Sequence, residues 1–264
     1  MTQRQGNSEV SGDAPLAYDQ ADKRHRLRGR IALVTGASSG IGRAIALALS
    51  CLEVEMYVVG RNPDTLRETV EAARQFTKVT GFSLDLTVEG NLRSLLRDFG
   101  EKAGRLDILI HSAGVIHQDL MEHARIEELD HQYALNVRVP YVLTKALLPL
   151  LIAARGQVVF VNSSLGVSVK RPEVGQYAAT KHALKAIADS LREEVNSKGV
   201  RVLTLYLGRT ATPMQEALYR REGRVYQPEK LLQPEDVASL LVNVLMLPNT
   251  AEATDISIRP MVKP

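Results

Sequence analysis

The sequence predicts a doubly wound α/β fold, one mostly parallel seven-stranded sheet covered by helices on both faces, in a single domain. Three observations carry this. From Arg30 onward, short β-rich runs alternate with longer amphipathic ones, as a parallel sheet with helical crossovers requires. A glycine-rich turn, Gly36-Ala37-Ser38-Ser39-Gly40-Ile41-Gly42, ends the first β-rich run and opens a helical one. The chain has 264 residues, 45% hydrophobic and 24% charged, enough for one sizeable core.

Taken in order, the strands are expected at 31–35, 56–60, 79–84, 106–111, 157–162, 201–207 and 255–258, each a short apolar or β-branched run. Helices fill the intervals. The longest fall within 122–155 and 175–198, the first interrupted near Pro140 and Pro149, where the backbone lacks a hydrogen-bond donor. No internal repeat or domain-splitting linker is visible. Residues 1–27 are polar and nonperiodic and read as a disordered extension to a domain spanning 28–264.

Composition excludes several classes. The extension has no apolar signal-peptide core, and Glu9, Asp13, Asp19 and Asp22 oppose a mitochondrial leader. No later segment reads as an uninterrupted membrane span, so no membrane partner is expected. The single cysteine, Cys51, has no intrachain disulfide partner; a packing role and a reducing, cytoplasmic location are expected. The net charge is +3, and the basic run from Lys23 to Arg30 is short and free of aromatics, so it reads as a solvated lead-in rather than a nucleic-acid site. His117, His123 and His131 match no metal-ligand spacing, and no metal is expected.

Two local patterns carry chemistry. In the strand-turn-helix unit, the glycines let backbone N–H groups approach a pyrophosphate at the positive end of the helix, a Rossmann-type dinucleotide site. In Gln176-Tyr177-Ala178-Ala179-Thr180-Lys181, Tyr177 and Lys181 stand one helical turn apart and project from one face. These motifs occur in the order found in the short-chain dehydrogenase/reductase family, which the chain resembles over roughly residues 28 to 262. Thr35 to Gly42 is similar to the family's Thr-Gly-x-x-x-Gly-x-Gly. Asp85 and Leu86 match the acidic position after the third strand that meets adenine, and Asn136 the helix asparagine. His111-Ser112-Ala113-Gly114 corresponds to Asn-Asn-Ala-Gly with both asparagines replaced. Ser164 lies 13 positions before Tyr177, the family's serine–tyrosine separation.

The resemblance implies an oxidoreductase that interconverts a small or medium carbonyl compound and a secondary alcohol by hydride transfer. Protonating the alkoxide formed by reduction needs a donor and hydrogen bonds to the developing charge. Tyr177 is the expected general acid/base. Lys181 is expected to lower its pKa and hold the nicotinamide ribose, Ser164 to bind the substrate oxygen, and Asn136 to position a water leading from Lys181 to solvent. The implied cofactor contacts are Gly36, Ser38, Ser39, Gly40, Ile41, Gly42, Arg61, Asp85, Leu86, Ser112, Ala113, Gly114, Tyr177, Lys181, Gly208, Thr210 and Thr212. The turn after the second strand carries Arg61 and no carboxylate, so NADP is expected, with NAD the alternative if Arg61 stacks on adenine instead.

Departures from the family pattern set further expectations. His111 is read as a substitute brace, donating to a backbone carbonyl. Leu207-Gly208 replaces the family's Pro-Gly, which is expected to loosen that loop. Residues 214–233 read as a mobile lid, whose Arg220, Arg221 and Arg224 either meet an anionic substrate or, more simply, are solvated. The C-terminal run from Thr254 to Met261 lacks the Asp-Gly-Gly of acyl-carrier-protein reductases and looks closer to 3-hydroxy-acid dehydrogenases. A 3-oxoacyl-carrier-protein reductase and a noncatalytic dinucleotide sensor are the alternative functions. The apolar helices at 122–155 and 175–198 are expected to pair in a homodimer or homotetramer.

Overall fold

The computed structural model describes residues 26–262. All seven expected strands are present: β1 (Ile31–Thr35), β2 (Glu55–Gly60), β3 (Val79–Ser83), β4 (Ile108–His111), β5 (Gln157–Ser163), β6 (Arg201–Leu207) and β7 (Asp255–Ile258). They form one sheet in the order β3-β2-β1-β4-β5-β6-β7, every pair parallel. β4 starts later than the sequence suggests because Asp107 is used otherwise. Its carboxylate accepts from the Ile31 N–H at 2.9 Å and pairs with Arg30 and Arg105.

The helices are α1 (Gly40–Ser50), α2 (Pro63–Arg74), α3 (Glu89–Ala103), α4 (Ile126–Tyr133), α5 (Val139–Ala154), α6 (Gly175–Val195), α7 (Pro213–Arg221) and α8 (Pro234–Leu245). The two strand faces alternate as pleating demands. Ala32, Val34, Met56 and Val58 pack with Ile45, Leu49 and Leu241 on one side. Leu33, Tyr57 and Val59 pack with Phe99, Leu143 and Leu184 on the other.

Several local expectations are corrected. A π-helical turn, Ala134–Arg138, joins α4 to α5, so the chain is helical without a break from Ile126 to Ala154 and carries Pro149 inside α5. That 29-residue stretch is long and apolar enough to cross a membrane, contrary to the sequence reading; Leu143, Leu147 and Leu151 bury it against the sheet as a core helix. Cys51 is exposed at the end of α1 rather than packed. Leu27 is buried in the core, and Arg26 donates to the Met246 carbonyl at 3.0 Å, so ordered structure begins before residue 28. The disorder expected for the remainder of the extension, 1–25, lies outside the described residues.

Candidate active site

Between β1 and β4 the strand order reverses, and a crevice opens past the carboxyl ends of the strands, where open α/β sheets bind ligands. A cavity of about 1010 Å³ fills it. Gly36, Ser38, Ser39, Gly40, Ile41, Gly42, Arg61, Leu86, Ser112, Ala113, Gly114 and Thr212 all line it, as the sequence expects of a dinucleotide site.

The first turn of α1 carries no acidic residue, and its N-cap, Ser39, makes no side-chain cap. The unpaired N–H groups of such a turn attract an anion. The tight approach behind them needs glycine: a Cβ on Gly42 would stand 2.3 Å from the Gly36 carbonyl oxygen. Gly36 itself has φ +71°, and a Cβ there would meet the Ala113 nitrogen at 2.7 Å. Thr35, absent from the expected contacts, fixes the opposite wall. Its hydroxyl accepts from the Ser112 and Ala113 N–H groups at 3.1 and 3.2 Å. The buried Ser38 hydroxyl has no partner among the described residues. A bare helix terminus, an orphaned hydroxyl and glycine-lined walls fit a dinucleotide diphosphate.

At the rim, the Arg61 guanidinium makes no hydrogen bond or ion pair among the described residues, and Asn62 is occupied in capping α2. Asp85 departs from expectation. Its carboxylate accepts from the Thr87 N–H and hydroxyl at 2.8 and 2.7 Å and is not among the groups lining the cavity. Burial opposes its ionisation, but these two bonds and the Arg61 charge hold its pKa below the usual value.

A second cavity, about 480 Å³, adjoins the first through Ile41, Ser112, Gly114 and Thr212. Tyr177, Lys181, Ser163, Ser164, Gly208 and Thr210 line it. Here the expected serine has a neighbour with a closer relation to the tyrosine. Ser163, the last residue of β5, interacts through its side chain with the Tyr177 phenol so as to lower its pKa, and accepts a hydrogen bond from the Leu165 N–H at 3.2 Å. Ser164 begins the following 3-10 turn and is exposed. The chain curls at that point, and the neighbour one residue nearer Tyr177 is the more exposed of the two serines on the cavity wall.

The Lys181 amine is buried, donates to the Val161 carbonyl at 3.1 Å and lies 5.7 Å from the Tyr177 ring centre. The Tyr177 side chain is half-buried. Burial pushes the phenol up to about 12, only partly offset by Ser163, and pushes Lys181 down to about 8. Against the expected lowering of the tyrosine pKa, burial governs both groups.

Asn136, in the π turn, is buried and committed to the protein. Its Oδ1 accepts from the Val115 N–H at 2.9 Å, and its Nδ2 donates to the Val115 carbonyl and the Thr180 hydroxyl. The side chain clamps the chain leaving β4. His111 bonds through Nε2 to the Thr144 hydroxyl at 2.7 Å, not to a backbone carbonyl.

The loop after β6 is pinned although it lacks the proline. Gly208 donates to Ile258, Ala211 to Leu232, and Leu232 to Arg209. Thr210 donates to the Gly208 carbonyl, and Thr212 caps α7 by accepting from Gln215. The expected lid contains α7 and a 3-10 turn at Pro228–Lys230. Arg220 is solvated beside Glu216, whereas Arg221 reaches Asp119 and Arg224 reaches Glu222. His117 and His131 approach each other, but among the described residues no group of three or more His, Cys, Asp and Glu is arranged to hold a metal.

A family described as short chain dehydrogenase matches residues 30–223. An uncharacterised oxidoreductase of Staphylococcus epidermidis is 31% identical over 237 residues, covering 89% of this chain and 99% of the relative. Among solved structures, an alcohol dehydrogenase from Thermococcus sibiricus, complexed with 5-hydroxy-NADP, superposes with a TM-score of 0.80 at 25% identity, covering 90% of this chain and 99% of that one. A short chain dehydrogenase from Shigella flexneri, complexed with NADP, superposes at 0.79 with 30% identity over 88% and 98% of the two chains. Sequence and architecture agree along nearly the whole described chain, and the protein belongs to the short-chain dehydrogenase family of oxidoreductases.

Proposed function

We propose that the protein is an NADP-dependent oxidoreductase that interconverts a carbonyl compound and a secondary alcohol, with Tyr177 as the general acid/base. The observation that carries this reading is the contact of the Ser163 hydroxyl with the Tyr177 phenol, beside the buried Lys181 amine, where the dinucleotide-sized cavity meets the smaller one. The NADP complexes of the Thermococcus and Shigella proteins support the cofactor class.

Gly36, Gly40, Gly42 and Ser38 would hold the diphosphate, Arg61 the 2′-phosphate, and Lys181 the nicotinamide ribose. The bound nicotinamide would supply or take up the hydride. Tyr177 keeps its proton at neutral pH, because burial holds its pKa at about 12, and it delivers that proton to the oxygen of the reduced carbonyl. Ser163 donates to the same oxygen as charge develops there. Alcohol oxidation requires Tyr177 to accept a proton, so its rate should rise with pH.

The test compares three substitutions with a nicotinamide absorbance assay and equilibrium titration of NADPH. Tyr177→Phe is expected to lower kcat about 100- to 10,000-fold with cofactor affinity nearly intact. Ser163→Ala is expected to lower it about 100-fold or more, and Ser164→Ala to change it little. Most of the activity surviving in Tyr177→Phe, or the two serine substitutions exchanging their effects, would overturn these assignments.

A further inference from the structure

The wall of the smaller cavity facing away from the glycine-rich turn is cationic to a degree that carbonyl reduction does not require. Arg171, Arg209 and Arg224 all point to one carboxylate, Glu222. Arg171 reaches it at 3.0 Å, Arg209 grips both oxygens at 2.8 and 2.9 Å, and Arg224 approaches to 3.3 Å. All four line the cavity that holds Tyr177 and Lys181. Burial pushes the Glu222 carboxyl up, but the hydrogen bonds from Arg209 and Arg171 outweigh it, so Glu222 remains a carboxylate. One negative charge against three guanidiniums leaves two positive charges uncompensated.

The arrangement is built rather than loose. Tyr219, buried at 3% exposure, lies 4.8 Å from both the Arg209 and the Arg224 guanidinium carbons, fixing two cations against one ring. Arg209 and Glu222 are mostly buried, with 19% and 14% of their side chains exposed. Two buried N–H donors on residues of this cavity wall have no acceptor among the described residues: Nη1 of Arg209 and Nε2 of Gln215. A buried donor left unpaired is costly, and two of them beside surplus positive charge complement an anionic oxygen. The lysine at the other end of the cavity already serves Tyr177, so the guanidinium cluster is a separate contact for a remote part of the substrate.

We infer that the substrate is a carbonyl or alcohol compound bearing an anionic tail, a carboxylate or a phosphate monoester, held by Arg209 and Gln215 while Tyr177 meets the reacting oxygen. This rests on the oxidoreductase reading above and specifies the substrate class for the same site. Glu222 acts as a positioning residue: it takes up one edge of the Arg209 fork and leaves the other edge for the tail.

The experiment uses the full-length protein with NADPH and matched short-chain sets: oxo acids, their neutral methyl esters, and keto alcohols as phosphate monoesters. One of the two anionic sets should exceed the esters in kcat/KM by roughly 10- to 100-fold, and which one does identifies the tail. Arg209→Gln and, independently of the arginine cluster, Gln215→Leu should each collapse that ratio, chiefly through KM; Arg209→Lys should retain part of it. Esters matching or exceeding both anionic sets, or an unchanged ratio in both Arg209→Gln and Gln215→Leu, would overturn the inference while leaving the oxidoreductase reading intact. If no compound is turned over, calorimetric titration of the NADP-loaded protein with the acids and phosphates decides. Saturable binding lost in Arg209→Gln supports the anionic subsite, and no binding of either anion overturns it. Absence of turnover with these and with neutral ketones and alcohols counts separately against the oxidoreductase reading.

Discussion

At the end of β4 the imidazole of His111 is stacked on Phe160 at 5.0 Å, bonded through Nε2 to Thr144 and left without a partner at Nδ1 among the described residues. Burial pushes its pKa from the ordinary 6.5 down to about 3. Above 6.5 it is neutral whether the chain is folded or not and contributes nothing to the pH dependence. Below that, the unfolded chain takes up a proton that the folded one refuses, so stability falls as pH drops toward 3, by at most about 1.4 kcal/mol per unit. His111→Asn removes the titration, and its melting temperature is expected to fall less steeply than the parent's between pH 6.5 and 4. Parallel declines would locate the acid sensitivity elsewhere. Arg61 poses the complementary case of an exposed group with no hydrogen-bond or ion-pair partner among the described residues, at the mouth of the larger cavity. If it binds the 2′-phosphate, Arg61→Ala should lower kcat/KM for NADPH about 10- to 100-fold and leave NADH nearly unaffected. An equal loss with both cofactors would mean that it stacks on adenine.

The helical unit α4–π–α5 illustrates what an element contributes beyond packing. Its buried leucines anchor it to the sheet, and its π turn places Asn136 where one side chain satisfies both polar groups of Val115 and the Thr180 hydroxyl. The turn thereby ties the strand end bearing Ser112, Ala113 and Gly114 to α6, which carries Tyr177 and Lys181. Asn136→Ala leaves the Val115 N–H and carbonyl without partners, and a stability loss of about 2–4 kcal/mol is expected from thermal or urea unfolding. NADPH affinity should drop as well, since Gly114 lines the cofactor cavity. A stable variant with unchanged affinity would show that the clamp is dispensable. The sequence placed Asn136 on this helix, but nothing in local periodicity distinguishes a π turn from an α-helix interrupted at Pro140.

For the molecule as a whole, the monomer's own core takes up most of the apolar surface that motivated an assembly. Leu143, Leu147, Leu151, Leu184 and Leu191 are buried within the chain, leaving Leu148, Leu150 and Ile187 partly exposed and Tyr141 exposed on the same helices. A homodimer or homotetramer built on α5 and α6 remains the expected state, from that residual surface. Sedimentation equilibrium should give at least twice the 29.0 kDa chain mass; a monomer at high concentration would refute the pairing.

The sequence by itself determined the doubly wound sheet, the glycine-rich turn and the Tyr177–Lys181 pair. All three depend on short-range spacing: strand runs bounded by turns, glycines needed within a few residues, and side chains one helical turn apart. Only the tertiary structure sets Ser163 rather than Ser164 beside the Tyr177 phenol, because that depends on where β5 stops and the 3-10 turn begins relative to a helix eleven residues further on. It also shows Asp85 turned back on Thr87 and the tyrosine buried deeply enough to push its pKa up. The gathering of Arg171, Arg209, Arg224 and Glu222 around one cavity was likewise invisible in the sequence. Those residues are up to 53 positions apart, and the β5–α6 loop, the β6–α7 loop and the segment after α7 bring them together only when the sheet closes.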